Sequence, residues 1–397
     1  MPQHSKPGWF QGGWEFWGRE NIGLRYLLLM ILTLCLYQTI AFHYGAKFTT
    51  QNLSGLLCIG DRSIPPSILP QDIAYERNSH GFDGQYYYFV AQDLLVQRDF
   101  HQYMDRPGFR YSRIVYMASA ALASAITGLS IVSTLVLVNI LGILLGAFYF
   151  GLIVRKYGFP LYFTGFYILL SGLVFGVLRD LPDPLAMGFS LAALYYWREG
   201  RLGPSLTFLA LGCLTKQTTL AFVGIFLFDA LVLQRQVRKS FLVCLSVVPF
   251  LGWQFYVNHQ LGLPMSLGSE GLIRWQPLDI FRDYAATIQR SHSLSELWLI
   301  SLGVLSALLC LVLAIWQFMR HRNAINFGFL GFSLLPFVQA GVWKDPWGYG
   351  RVLLPLPVFL LLSYADSRSR WLVLPIALNL LMFFVSLAWL GLLPWRI

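Results

Sequence analysis

The amino-acid sequence predicts an all-α polytopic membrane protein, with about eleven transmembrane helices (range 10–13) and a large first external loop containing amphipathic helices. Three observations carry that expectation. Of the 397 residues, 56% are hydrophobic and 12% charged, whereas soluble domains run near 45–50% and about 25%. Uninterrupted apolar runs at 131–153, 297–319 and 371–393 are long enough to cross about 30 Å of hydrocarbon at 1.5 Å per residue. The alternating pattern of an outer-membrane barrel is absent, so helices, which satisfy their own backbone, are the remaining way through lipid.

In chain order, the first 22 residues carry Lys6, Glu15, Arg19 and Glu20, and no small-residue cleavage site follows the run at 23–43, which reads as a retained first span. Basic clusters then punctuate the apolar runs: Arg155 with Lys156, Arg198 with Arg201, Arg235 with Arg238 and Lys239, Arg320 with Arg322, Arg368 with Arg370. The positive-inside rule makes these cytoplasmic turns. The intervening turns, Arg179–Pro184, Thr215–Thr219, His259–Glu296 and Trp343–Arg351, then face outward with the segment from Tyr44 to about Arg113. With that threading the inside holds 14 Lys/Arg against 5 Asp/Glu and the outside 15 against 14, so the net charge of +10 is a topology signal and calls for no nucleic-acid partner.

Two segments need special treatment. Ile114–Gly128 is apolar but short, and counting it as a span would reverse every later turn, so it reads as an interfacial or re-entrant helix. The run at 203–233 begins and ends inside, which splits it into two short helices hinged at Thr215–Thr219. No internal repeat or linker divides the chain. It reads as a single membrane domain over 1–397, comprising a cytoplasmic N-terminus at 1–22, a first periplasmic loop at 44–130 and the remaining helical bundle at 131–397. Four of the five cysteines fall inside apolar runs, so no disulfide is expected.

The chemistry-bearing residues lie on the outward turns. Gly81-Phe82-Asp83-Gly84-Gln85-Tyr86-Tyr87-Tyr88 opens an amphipathic helix near Gly84 that would lie along the membrane surface. Asp83 is then either a helix N-cap or a reactive carboxylate, and the tyrosines either an interfacial belt or a sugar-packing surface. Asp105 to Arg113 contains Arg110 and Arg113, which are either headgroup anchors or a guanidinium fork for phosphate. In the turn holding Arg179, Asp180 and Asp183, Asp183 before Pro184 has the form of a helix start; Asp180 and Arg179 form either a mutual ion pair or part of a site. Lys216 interrupts an apolar stretch, where a central lysine costs roughly 2.5–3.5 kcal/mol. Trp347 and Arg351 lie in the last outward turn, an aromatic and a cation suited to a sugar phosphate. No P-loop, HExxH, zinc-spaced Cys/His cluster or GxSxG elbow is present.

The motif at 81–88, Asp105 with Arg110 and Arg113, Lys216 between short helices and Arg351 followed by Pro355 together resemble the GT-C glycosyltransferase superfamily. They are most similar to bacterial cell-surface glycopolymer proteins with a GYDGQFYY-like signature. This chain has Phe82 where that signature has Tyr, and Leu94 and Met117 at positions where it has Pro. The resemblance implies a GT-C-like fold in a bacterial inner membrane, with the first external loop over a periplasmic active site, and the charge threading puts the N-terminus in the cytoplasm. It implies a polyprenyl-phosphate sugar as donor and Asp83 as general base. Lys216, Arg351, Arg110 and Arg113 would then bind the donor phosphate, and Gln85, Tyr86, Tyr87, Asp180, Asp183 and Trp347 would bind substrate. The acceptor is a glycan, lipid or protein. No metal is required, although Asp83 with Asp180 or Asp183 leaves room for a divalent cation. The competing readings are a flippase for lipid-linked sugars and a non-catalytic envelope-assembly scaffold.

Overall fold

The computed structural model describes residues 22–48, 52–264, 277–291, 293–339 and 342–393. Expectations for the first 21 residues, the last four and 265–276 lie outside them. The architecture is almost wholly helical, with one pair of two-residue parallel strands, Ile59–Gly60 and Tyr75–Glu76, in the first loop. This is an all-α, multi-pass membrane protein.

The helices, in order, are α1 (Ile22–Gly45), α2 (Gly84–Gln92), α3 (Pro107–Tyr111), α4 (Ile114–Thr127), α5 (Ile131–Lys156), α6 (Thr164–Ile168), α7 (Ser171–Leu178), α8 (Asp183–Arg198) and α9 (Leu202–Thr215). Then come α10 (Leu220–Leu227), α11 (Val237–Leu245), α12 (Val248–Gln260), α13 (Asp279–Arg290), α14 (Leu294–Arg320), α15 (Ala324–Val338), α16 (Pro346–Val352), α17 (Pro355–Ser367) and α18 (Val373–Trp389).

Among the described residues five helical stretches are long and apolar enough to cross a membrane: 22–45, 131–156, 237–260, 294–320 and 370–389. Two bent pairs, 161–178 at 53° and 346–367 at 41°, raise that to seven, and four shorter apolar helices accompany them. The second bend falls just before Pro355, whose ring blocks continuation of an α-helix. The expected break in 203–233 falls at Lys216, where φ −160° and ψ 134° end α9 in extended backbone. At 14 residues, about 21 Å long, α4 is too short to cross alone; it folds back on the start of α5, with its Tyr116 hydroxyl 3.3 Å from the Leu135 carbonyl.

The helices cross closely where side chains are small. A Cβ on Gly142 of α5 would collide with the Leu185 backbone of α8, and one on Gly188 would lie 2.6 Å from the Gly142 carbonyl. Small residues at a crossing let two backbones approach, which is how helices associate in lipid. The first loop has its own core, in which Leu57, Ile59, Tyr87, Val90 and Tyr111 pack with Tyr116 of α4, Leu135 of α5 and Leu181 and Leu185 at the α7–α8 turn. The loop is therefore built onto one end of the bundle.

The basic turns gather at the other end, where Lys156 pairs with Glu199, the Arg198 guanidinium meets the Tyr157 hydroxyl and Arg368 Nη2 donates to the Tyr157 carbonyl at 2.8 Å. Two expectations are corrected. Residues 84–91 of α2 are all buried, so this helix is enclosed by the loop and does not lie on a lipid surface. The 343–351 turn is largely helical, and Arg351 sits in the last turn of α16.

Candidate active site

Asp83 immediately precedes α2 but does not cap it: no side-chain cap hydrogen bond forms at this helix start. Its carboxylate instead binds two cations brought from distant parts of the chain. Oδ1 lies 3.0 Å from Arg110 Nη2, and Oδ2 lies 2.9 Å from Arg351 Nη1. Asp83 keeps 20% of its side-chain exposure, so the pair sits at a site rim rather than in the sealed core. Burial alone would raise its proton affinity; Arg110, Arg351 and Arg113 more than offset that and hold the carboxyl well below its usual range.

Arg110 is doubly engaged. Its Nε and Nη2 also reach the two oxygens of Asp105 at 3.0 Å each, a bidentate fork of the kind guanidinium favours, and its charge lies 4.7 Å from the Tyr86 ring centre. Asp105 and Asp83 together outweigh burial and raise the proton affinity of Arg110. Arg113 differs. Its Nη1 meets the Tyr87 hydroxyl, its Nε lies 3.3 Å from Gln217 Oε1 and its guanidinium 4.2 Å from the Phe109 ring centre. Among the described residues no carboxylate forms an ion pair with Arg113, and burial pushes its guanidinium down despite Asp83 and Asp183 nearby.

Lys216, at the break between α9 and α10, is buried against Asp183 at the start of α8, and the two form an ion pair. Asp183 does begin α8 ahead of Pro184, as its sequence suggested, yet its side chain is committed to Lys216. A narrow pocket with room for about one water is lined by Asp183, Lys216, Thr218, Thr219, Arg351 and Pro355. Asp83, Arg351, Lys216 and Asp183 thus form one continuous charged cluster, with Arg351 as the link between the loop and the pocket.

The remaining sequence-nominated residues fall around it. Gln85 is buried; Gly60 N donates to its Oε1 at 3.1 Å, and its Nε2 donates to the His80 carbonyl at 2.9 Å. Tyr87 is enclosed against Tyr116 and meets the site through Arg113. Asp180 and Arg179 form no ion pair. Asp180 is fully buried with neither carboxylate oxygen hydrogen-bonded, and burial raises its carboxyl well above the usual range. Trp347 stacks on the Arg179 guanidinium, 3.9 Å from ring centre to carbon.

The glycines flanking Asp83 give no room to a substrate: a Cβ on Gly84 would collide with the Arg179 carbonyl oxygen, and Gly81 sits at φ +69°. Sequence reasoning passed over Gln217, which joins the α9–α10 break to the first loop through Arg113 and the Ser112 hydroxyl. Its place next to Lys216 was the available signal. Among the described residues no group of three or more His, Cys, Asp or Glu is placed to hold a metal ion.

Fold and site together define a multi-pass, all-α membrane protein with a buried ionic cluster where its first large loop meets one end of the helical bundle. No protein-family model matches the chain, and no curated protein does. Among solved structures, the crystal structure of ArnT from Cupriavidus metallidurans in the apo state is similar at 15% identity with a TM-score of 0.46, over 87% of this chain and 60% of that one. The chain thus spans about 60% of the length of that protein.

Proposed function

We propose that this protein is a membrane glycosyltransferase of the GT-C kind. It moves a sugar from a polyprenyl-phosphate donor to an envelope glycan, lipid or protein acceptor at the periplasmic face of a bacterial inner membrane. The observation that carries this reading is that Arg351 both pairs with Asp83 and lines, with Lys216, the adjoining pocket. A glycosyl transfer with inversion needs a carboxylate near the attacking hydroxyl and cations near the departing phosphate. The ion pair between Asp83 and Arg351 supports that arrangement. The periplasmic assignment rests on the basic turns grouped at the opposite end of the bundle.

In the reaction, the acceptor hydroxyl attacks C1 of the donor sugar while Asp83 takes its proton. The bond from C1 to the phosphate oxygen breaks, and the electron pair leaves with the lipid phosphate. Lys216, Arg351 and Arg113 stabilise that growing charge, with Arg110 holding Asp83 from the other side. A carboxylate held by two guanidiniums is a weak base. A donor phosphate that draws Arg351 away would return proton affinity to Asp83, so the base becomes effective when the donor is bound. Gln85, Tyr86, Tyr87, Asp180 and Asp183 shape the site, and Trp347 offers a ring to the substrate.

Charges gathered at the two ends of the bundle favour a transferase over a flippase, whose ionisable groups would be expected near the bilayer midplane. Purified protein supplied with a synthetic polyprenyl-phosphate sugar and an envelope glycan or lipid acceptor should yield glycosylated acceptor and free lipid phosphate. Movement of the lipid between leaflets of a liposome with no transfer would place the chain among transporters instead.

A further inference from the structure

Arg179, the cap residue after α7, is 8% exposed. Among the described residues it forms no ion pair, and its Nε and Nη1 are buried without a hydrogen-bond partner. An isolated buried cation is costly, and proteins normally pair it. The neighbouring Asp180 does not do so: its backbone stands at φ +46°, in the left-handed region that non-glycine residues rarely adopt, and its carboxylate has no partner either. A strained turn that leaves a buried guanidinium and the neighbouring carboxyl unpaired is the kind of outlier found at ligand sites.

The surroundings of Arg179 suit an anion. Its guanidinium lies 3.9, 5.7 and 5.8 Å from the ring centres of Trp347, Phe82 and Tyr44; the Tyr44 hydroxyl takes one hydrogen bond from it, and Nε and Nη1 are left without a partner. Phe82 is shared with Arg351, whose guanidinium lies 5.0 Å from the same ring. The Arg179 carbonyl also packs on Gly84, next to Asp83. Arg179 therefore belongs to the Asp83 site, one aromatic ring away from the cation that binds Asp83.

We propose that Arg179 is a second oxyanion-binding residue, receiving a phosphate or carboxylate carried by the acceptor. The assignment to the acceptor rests on the transferase reading, whereas the anion site does not, so the test reads anion binding alone. Full-length protein in detergent is titrated calorimetrically with inorganic phosphate and, separately, with acetate. Wild type should show saturable binding of at least one anion; phosphate binding tighter indicates a phosphorylated acceptor, acetate a carboxylated one. Arg179→Gln should weaken the tighter anion at least tenfold. Arg179→Lys, which keeps the charge and loses the planar fork, should bind between the two and serves if the glutamine variant does not fold. Absence of saturable binding of both anions, or equal affinity in wild type and the Arg179 variants, overturns the proposal and leaves Arg179 as a structural clamp on Trp347. Loss of sugar transfer is scored separately, through Asp83.

Discussion

Arg351 Nη1, on the short helix α16, lies 2.9 Å from Oδ2 of Asp83 in the first loop, and this one contact ties two distant parts of the chain into a single site. Arg351→Gln should therefore act twice. It removes a cation from the phosphate side, where one lost transition-state donor costs about 10²–10³ in rate, and it leaves Arg110 as the remaining ion-pair partner of Asp83. Steady-state transfer kinetics should show the fall mainly in kcat. A change confined to KM would mean that Arg351 only holds the ground-state substrate.

Lys216 and Asp183 separate structural from functional charge. Breaking a buried ion pair by removing one partner costs about 3–5 kcal/mol, whereas replacing both with apolar groups is often neutral. Lys216→Met should sharply lower the apparent melting temperature in detergent, and Lys216→Met with Asp183→Leu should recover most of it. Transfer should stay strongly reduced in both, because the leaving phosphate then loses one of its three cations and keeps only Arg351 and Arg113. Recovery of activity in the double variant would make the pair a stability feature only.

Gly84→Ala tests whether the loop is pinned to the α7–α8 turn. The added methyl meets the Arg179 carbonyl, and overpacking of this kind costs typically 1–3 kcal/mol. Thermal unfolding should fall, with transfer reduced through displacement of Asp83. An unchanged melting curve would show that the loop can lift from the turn at no cost.

The fold class was legible because lipid imposes a coarse rule: length, apolarity and basic turns mark the spans, and the α9–α10 break at Lys216 follows from one lysine that hydrocarbon will not accept. Asp83, Lys216 and Arg351 were legible as charges needing an explanation. Their partners were not, because Asp83–Arg351 and Lys216–Asp183 join residues that local spacing cannot relate. Local spacing in fact favoured helix caps for Asp83 and Asp183, since a cap and an ion pair want the same residue at the same place. The burial of α2 was hidden for a related reason: an apolar stripe looks the same whether lipid or a folded loop covers it. Gln217 gave no signal beyond its neighbour, because a single amide says nothing about which guanidinium it will meet.

Acid should loosen the site in a definite direction. The folded-state pKa of Asp83 is depressed by its arginines, so its contribution to stability is fully present above the unfolded carboxyl value of about 3.9. It fades as pH falls below that value toward the folded one. Wild type should thus lose more apparent stability than Asp83→Asn between about pH 4 and pH 3. Parallel curves for the two proteins would show that the Asp83 ion pairs do not stabilise the fold.

The central claim is that Asp83 takes the acceptor proton. The most direct measurement is the rate of sugar transfer from a synthetic polyprenyl-phosphate sugar to a supplied acceptor by purified wild type and Asp83→Asn, each verified as folded by its melting curve. The account predicts a loss of about 10²–10⁴-fold in kcat, the range a general base supplies, with donor binding retained. A folded Asp83→Asn protein that transfers sugar at the wild-type rate would contradict it.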